Sequence, residues 1–442
     1  MKHEIATPRS AGLAMTLDNM HILIIHQAFA SLNEPGGTRH HEFARLLSTC
    51  GHQVTVVASP VSYITGDKAP LRPPPFSGTR GGEKEGGRGE EKITILRASV
   101  YAAHHKSFVH RIFAFISFMA SSFWLGLGVQ NVDVVWGTSP PIFQGVTAWS
   151  LARLKGAKFL FEVRDLWPQF AVAVGVLTNP ILISMSEWLE GFLYRHADRV
   201  MVNSPGFREH VEGRGAKRVE LIPNGADPSM FDPADEGEAF RQSHKLKDKF
   251  VALYAGAHGM SNDLGVVLEA AKILQEVTVT SKVTVTSEIH IVLLGDGKEK
   301  ANLRVQADEM SLTNVTFAPS VPKAEMAGAL AAADACIAIL KPLDEYKTTY
   351  PNKVFDYMAA GRPVVLAIDG VIREVVEAAG CGIFAQPGNP SALAEAIRGL
   401  AADKDKARKM GLDGRKYLED NFSRAVIGEK LVKLLEETKN DR

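Results

Sequence analysis

Lys353 and Asp356 stand three residues apart in the run Tyr350-Pro-Asn-Lys-Val-Phe-Asp-Tyr-Met-Ala-Ala-Gly361. Pro351 and Asn352 suit a helix start, and Gly361 suits a helix end. Val354, Phe355 and Met358 share one face, and Pro363 to Ala367 is an apolar run of strand length. The cation and the carboxylate therefore sit near a helix N-terminus, where free N–H groups and the helix dipole favour anions. A phosphorylated sugar suits such a place, with Lys353 taking phosphate and Asp356 taking ribose hydroxyls. The plainer reading is a carboxylate that steadies its own helix beside a solvated lysine, and the stretch alone leaves both open.

Two more places carry polar chemistry just past apolar runs. His21 to Gln27 is followed by Asn33-Glu-Pro-Gly-Gly-Thr-Arg39. Gly36 and Gly37 would let a ligand approach the backbone, and Arg39 could reach a diphosphate; a flexible loop with a solvated arginine is the alternative. The loop lacks the G-x-G-x-x-G spacing of a dinucleotide site. Ala157 to Val163 runs straight into Arg164 and Asp165. Charged residues past the C-terminal end of a parallel strand lie where α/β sheets bind ligands, although this pair could simply neutralise itself.

The elements that must position these residues alternate strand and helix along the chain. The helix after Arg39 shows Phe43, Leu46, Leu47 and Cys50 on one face, and Gln53 to Ala58 is the next strand, which makes a βαβ unit and a parallel sheet. Further strands are expected at 132–137, 157–163, 199–202 and 219–222. Pro223-Asn-Gly-Ala-Asp227 signals a break, and a second series of βα units begins at Phe250. The fold expected is α/β, two Rossmann-like domains facing across a cleft. The divisions expected are an N-terminal extension at 1–19, a first domain at 20–228, a linker at 229–249 and a second domain at 250–420. A final helix at 421–442 carries Ile427, Leu431, Leu434 and Leu435, a stripe that must pack on something, the first domain being one candidate. The Pro-, Gly- and charge-rich insertion 66–92 has almost nothing to bury and is expected to be disordered or an extended loop. The near repeat Val277 to Ser287 reads as a solvated loop or edge hairpin.

Composition excludes some functions. The chain has 442 residues, 45% hydrophobic, with 50 basic and 50 acidic side chains. Zero net charge argues against a general nucleic-acid binder. The three cysteines, Cys50, Cys336 and Cys381, are far apart without metal-ligand spacing, which suits buried thiols in a reducing compartment. Residues 1–19 lack a signal-peptide core, and Met15 or Met20 would serve as alternative starts. Ile112 to Val129 is uncharged over nearly a membrane's thickness, but serines and glycines dilute it. A helix dipping an aromatic side into a membrane surface and an ordinary buried helix are both open readings, and a true span is disfavoured.

Several blocks together resemble the retaining glycosyltransferases of family 4, with the GT-B fold. They are Leu221-Ile-Pro-Asn-Gly-Ala-Asp227 with Phe231, Tyr254-Ala-Gly256, Leu293-Leu-Gly-Asp-Gly-Lys-Glu-Lys300, the stretch from Tyr350, and Ala385 to Ile397. Ser139-Pro-Pro and Val163-Arg-Asp-Leu-Trp-Pro-Gln169 look like the branch that builds bacterial surface polysaccharide, typified by O-antigen and capsule aminosugar transferases using UDP-N-acetyl-L-fucosamine. The resemblance implies a nucleotide-diphosphate sugar, a UDP-sugar, as donor substrate of the second domain, with no metal or other cofactor. It implies a saccharide or polyprenyl-diphosphate-linked acceptor and a cytoplasmic protein, peripheral on the inner membrane. Asp356 falls on the second acidic position of the family's E-x7-E motif. Thr348 replaces the first, and the usual Arg and Lys after the strand at 251–256 are missing. Lys353 and Arg39 are then the expected diphosphate cations, assisted by backbone near Gly256 and Gly297. Arg164 and Asp165 are the expected catalytic-face residues. His258 is a candidate for phosphate or sugar, or a structural histidine in its glycine turn. A GT-B sugar-nucleotide 2-epimerase and a non-catalytic nucleotide-sugar-binding subunit are the alternatives.

Overall fold

The computed structural model describes residues 19–30, 37–60, 83–84, 93–101, 108–280 and 288–441. Gly36, the extension before residue 19 and all of the 66–92 insertion except Glu83 and Lys84 lie outside the described residues. Those two residues form a short strand, so that much of the insertion is paired.

The first sheet contains β1 (His21–Ile25), β2 (Gln53–Ala58), β3 (Glu83–Lys84), β4 (Ile93–Arg97), β5 (Val134–Ser139), β6 (Lys158–Val163), β7 (Arg199–Val202) and β8 (Val219–Leu221). Their spatial order is β3-β4-β2-β1-β5-β6-β7-β8, parallel except for β3. Helices α1 (Arg39–Thr49), α2 (Phe108–Leu127), α3 (Phe143–Lys155), α4 (Gln169–Ala173), α5 (Pro180–His196) and α6 (Arg208–Gly213) connect them. Side chains alternate across each strand, so one face buries Ile22, Ile24 and Trp136 against α1, and the other buries Leu23, Ile25 and Val135 against α2 and α3. Asn179 starts α5 by accepting from the N–H groups of Ile181 and Leu182, with Pro180 at the first helical position. No helix among the described residues is long and apolar enough to cross a membrane.

The second sheet holds β9 (Phe250–Ala255), β10 (Ile289–Leu294), β11 (Val315–Ala318), β12 (Ala335–Ile339), β13 (Val364–Ala367) and β14 (Gly382–Phe384), all parallel, in the order β11-β10-β9-β12-β13-β14. Its helices are α7 (Glu238–Ser243), α8 (Leu264–Thr280), α9 (Lys300–Glu309), α10 (Met326–Ala331), α11 (Asn352–Ala359), α12 (Val371–Ala378), α13 (Pro390–Ala402) and α14 (Lys404–Asn421). α11 buries Val354, Phe355 and Met358, the face its spacing predicts. Cys336 and Cys381 are buried in this domain, and Cys50 is half-buried in the first.

Two expectations change. Val277 to Thr280 continue α8 instead of opening a loop, because extending an existing helix by β-branched residues costs only a few tenths of a kcal/mol each, about 0.5. The rest of that repeat, 281–287, lies outside the described residues. The stretch 229–249 is not a free linker either: Phe231 and Leu246 are buried in the second domain's core.

The chain crosses between domains twice, side by side. Ala226 and Ser423 form a parallel bridge, and Ala226 N–H donates to Phe422 O. Gly225 has no room for a side chain, since a Cβ would collide with that carbonyl and with Ile427. After the second crossing, α15 (Arg424–Asn440) returns to the first domain. Ser423 caps it, and Ile427, Leu431, Leu434 and Leu435 join Ile22, Ile24 and Trp136 in one core. The apolar stripe thus ties the C-terminus to the first sheet.

Candidate active site

The loops that follow the C-terminal strand ends of both sheets meet. Ser204, after β7, donates its hydroxyl to Thr348 O at 2.5 Å. Asn224 donates to Tyr350 O at 2.8 Å. Phe170 of α4 meets Tyr346 edge-to-face with centroids 5.6 Å apart, and Tyr346 donates its hydroxyl to Ser261 at 2.6 Å. Thr348, which stands where the motif's first acidic residue would be, therefore contributes its carbonyl to an inter-domain contact.

On the second-domain side, β9 and β10 end in glycine turns that lie against each other. Gly256 N–H donates to Leu294 O at 3.0 Å, and His258 N–H to Asp296 O at 2.8 Å. Gly297 adopts a φ of +156°, and a Cβ there would collide with the His258 backbone. The His258 ring is fully buried beneath this turn, with neither nitrogen hydrogen-bonded. Burial, followed by the nearby Lys300, pushes it down to about 4, so the ring is neutral. Lys353 reaches the same place from α11. Its Nζ lies 3.9 Å from the Tyr254 ring centroid and 3.4 Å from Asn262 Oδ1. A Cβ on Gly256 would come within 2.9 Å of that Nζ, which shows how closely the lysine approaches the end of β9. The protein around Lys353 pushes its ammonium down to about 7. Gly256, His258, Gly297 and Lys353 are thus brought together.

Asp356, one turn along α11, does not point into open solvent. Lys323 Nζ, after β11, lies 2.5 Å from its Oδ1, and Asn352 donates weakly to Oδ2 at 3.4 Å. Burial raises the Asp356 carboxyl's affinity for its proton, and Lys323 opposes this. Sequence reading missed Lys323, which stands 33 residues away in a turn without a motif.

On the first-domain side the expectation for Arg39 is corrected. Its guanidinium is turned inward, 6% exposed. Nε donates to Glu162 at 2.9 Å, and the other two nitrogens donate to Pro223 O and Ile222 O at 2.6 Å each. All three nitrogens are thus engaged within the protein, so Arg39 anchors the hinge instead of facing a diphosphate. Gly37 is exposed at the head of this helix, with nothing within 4 Å of a built Cβ. Glu162 also accepts from His40 Nε2 at 2.5 Å and Trp136 Nε1 at 3.2 Å. His26 lies against His40 with ring centroids 4.0 Å apart and planes tilted by 33°, and its Nδ1 pairs with Thr138 Oγ1 at 2.8 Å. The readable signal was Glu162 itself, a carboxylate inside the apolar strand Lys158–Val163, which burial makes untenable without partners.

Arg164 and Asp165 follow the C-terminal end of β6. Arg164 donates to Pro140 O at 3.3 Å. Asp165 is exposed to water, and the neighbouring Arg164 favours its ionised form. No hydrogen bond joins the two side chains among the described contacts, although their charges attract. The second-domain side therefore gathers a cation, two glycine turns and a carboxylate, an arrangement that can hold an anionic leaving group.

Two family models match the chain. The glycosyl transferase 4-like domain covers residues 36–225, and glycosyl transferases group 1 covers 235–417. A D-inositol 3-phosphate glycosyltransferase from Nocardia farcinica is 24% identical over 273 residues, 60% of this chain. The match spans 56% of that relative's length. Among solved structures, a sucrose-phosphate synthase from Thermosynechococcus elongatus superposes with a TM-score of 0.72 at 18% identity, covering 95% of this chain and 99% of the other. Anabaena HepE in complex with UDP-glucose gives a TM-score of 0.67 at 15% identity, covering 95% and 100%. Both likenesses are of fold. Domain by domain, the first part of the chain matches the glycosyl transferase 4-like model and the second part the glycosyl transferases group 1 model, on the GT-B fold.

Proposed function

We propose that the protein transfers a sugar, with retention of anomeric configuration, from a nucleotide-diphosphate donor to a saccharide or lipid-diphosphate-linked saccharide. The observation that carries this is Lys353 at the Gly256 turn, one helical turn from Asp356. In this reading Lys353 and the N–H groups of the glycine turns stabilise the departing diphosphate, and Asp356 accepts from the ribose hydroxyls. Arg164 and Asp165 orient the acceptor, so that its hydroxyl attacks on the face the diphosphate leaves. UDP is the favoured nucleotide, and no metal is needed if these groups carry the leaving charge. The Val163–Gln169 and Ser139–Pro141 segments support a place in bacterial surface-polysaccharide synthesis, and an N-acetylated aminosugar is the favoured donor sugar.

Donor binding by ligand-observed NMR across UDP-, GDP- and ADP-sugars tests this. One nucleotide class should bind, and Asp356→Ala should weaken it by about tenfold or more, since hydrogen bonds to a charged group contribute about 1.5–3 kcal/mol. No binding by folded protein would overturn the donor site. Donor consumed without acceptor would favour the epimerase, and binding without turnover on any acceptor would favour a binding subunit.

The acceptor's lipid would be met at the outer face of the first domain, as a peripheral protein on the cytoplasmic side of a membrane. Ile181, Met185 and Trp188 are exposed at positions i, i+4 and i+7 of α5, and Phe113, Ile116 and Trp124 form a second exposed stripe on α2. Both helices pack on the same side of the sheet. Trp124→Ser with Trp188→Ser should reduce the affinity for anionic lipid vesicles, read by sedimentation, by about a hundredfold, each buried aromatic contributing about 1.5 kcal/mol or more. Turnover on a water-soluble acceptor should be retained. Unchanged sedimentation would remove this surface from the proposal.

A further inference from the structure

Lys323 and Asp356 belong to a group of four charges at the boundary of the domains. Their side chains are only 10% and 14% exposed. Beside them, Arg424 Nε of α15 lies 2.5 Å from Glu42 Oε2 of α1, with side chains 9% and 11% exposed. The groups that face Asp356 are therefore Lys323 from the turn after β11, Glu42 from α1, Arg424 from α15 and Asn352 from its own helix. Glu42 repels a negative Asp356, while Arg424 is already bound to Glu42 and to Gly225 O at 2.8 Å. Lys323 is the cation in direct contact with the Asp356 carboxylate. Its own place is fixed from beneath, where Nζ lies 5.7 Å from the Phe231 ring centroid.

A mostly buried carboxylate next to a second carboxylate would otherwise hold a proton, and a protonated acid accepts poorly from hydroxyls. We propose that Lys323 is a positioning residue of the donor site, keeping Asp356 ionised and aimed so that it can accept from the ribose diol of the nucleotide. This rests on the donor-site reading given above. It also accounts for how one acidic residue serves where the motif usually has two. With Thr348 at the first position, the remaining carboxylate has a dedicated cation instead of a carboxylate partner.

The test uses UDP as probe, titrated calorimetrically into wild type, Lys323→Met, Lys323→Arg, Asp356→Asn and the Lys323→Met/Asp356→Asn double variant between pH 5.5 and 8.5. Thermal melts establish that each is folded. Each is compared with wild type at the same pH, so titrations common to all cancel. Lys323→Met should lose affinity increasingly as pH falls, reaching about tenfold at the acid end, the loss expected when a charge-assisted hydrogen bond becomes a neutral one. Lys323→Arg should restore most of it. The double variant should bind no more weakly than Asp356→Asn alone. A Lys323→Met loss equal at every pH, or additive losses in the double variant, would mean that Lys323 meets the nucleotide directly, and would overturn the proposal. If Asp356→Asn binds UDP like wild type, the donor-site reading itself fails, a result distinguishable from failure of Lys323 alone.

Discussion

Glu162→Ala will destabilise the first domain by about 3–5 kcal/mol, the usual cost of removing one partner from a buried ion pair. The carboxylate is fully buried, and it is the acceptor for Arg39, His40 and Trp136 together. Its removal leaves the Arg39 Nε–H and the Trp136 N–H without acceptors. His40 can shed its proton, but a guanidinium cannot. The damage reaches the hinge, because the same Arg39 donates to Ile222 O and Pro223 O at the first crossing. A melt followed by circular dichroism should fall by about 10 °C, at about 2–4 °C per kcal/mol for a domain of this size. Glu162→Gln keeps an acceptor and should cost less. The sign of the pH dependence follows from linkage. His40 and Arg39 hold the folded Glu162 far below the ordinary value of 4.5, although burial alone would raise it. Its contribution is therefore complete above that value and is lost as pH falls toward the folded one. Wild type should lose this stability in acid, while Glu162→Gln should show a shallower acid slope. Equal melting of Glu162→Ala and wild type at pH 7 would refute the anchoring role.

How far the sequence could be read depended on whether the partners were local. The Lys353-to-Asp356 spacing lies within one helix, and its helix start, buried face and glycine stop are all nearest-neighbour chemistry, so α11 is where the pattern puts it. The alternating strands were equally legible because each is a continuous apolar run. Arg39 misled because a cation beside a glycine loop looks free until Glu162, 123 residues later, is folded against it. Lys323 was invisible for the same reason, since its meaning comes only from Asp356. The 229–249 stretch looked like a linker because its Asp, Pro and Gly residues outnumber its anchors, yet Phe231 and Leu246 suffice to dock it. The Val277–Thr280 run was misread because β propensity is weaker than the continuation of a helix already formed by Leu264 onward.

Lys353→Met should lower kcat/KM by about two to three orders of magnitude, the range found when one stabiliser of a developing anion is removed. The structure also attaches a pH signature to that loss. The surrounding protein lowers the Lys353 ammonium to about 7, so at pH 8 only about a tenth of the donor-free protein carries the charge. A diphosphate arriving at Nζ favours the charged form and restores the proton. Donor affinity should therefore be flat below pH 7 and fall by up to about tenfold for each unit above it, until the site's pKa with donor bound is reached. Calorimetry at pH 8 in buffers of different ionisation enthalpy should show uptake of a proton as UDP binds. Lys353→Met should show weaker binding, no slope from this group and no uptake. Lys353→Arg stays charged throughout and should also lose the slope, although its planar head cannot occupy the point above Tyr254 that the ammonium fills at 3.9 Å. The sign is opposite for the protein without donor. There the half-buried lysine disfavours folding while it is charged in both states, and stability rises as pH climbs from about 7 toward the unfolded value of 10.5. Alkaline conditions should thus stabilise the empty site while weakening its hold on the donor. Affinity and melting temperature moving together across this range would contradict the assignment of Lys353 as the cation beneath the diphosphate.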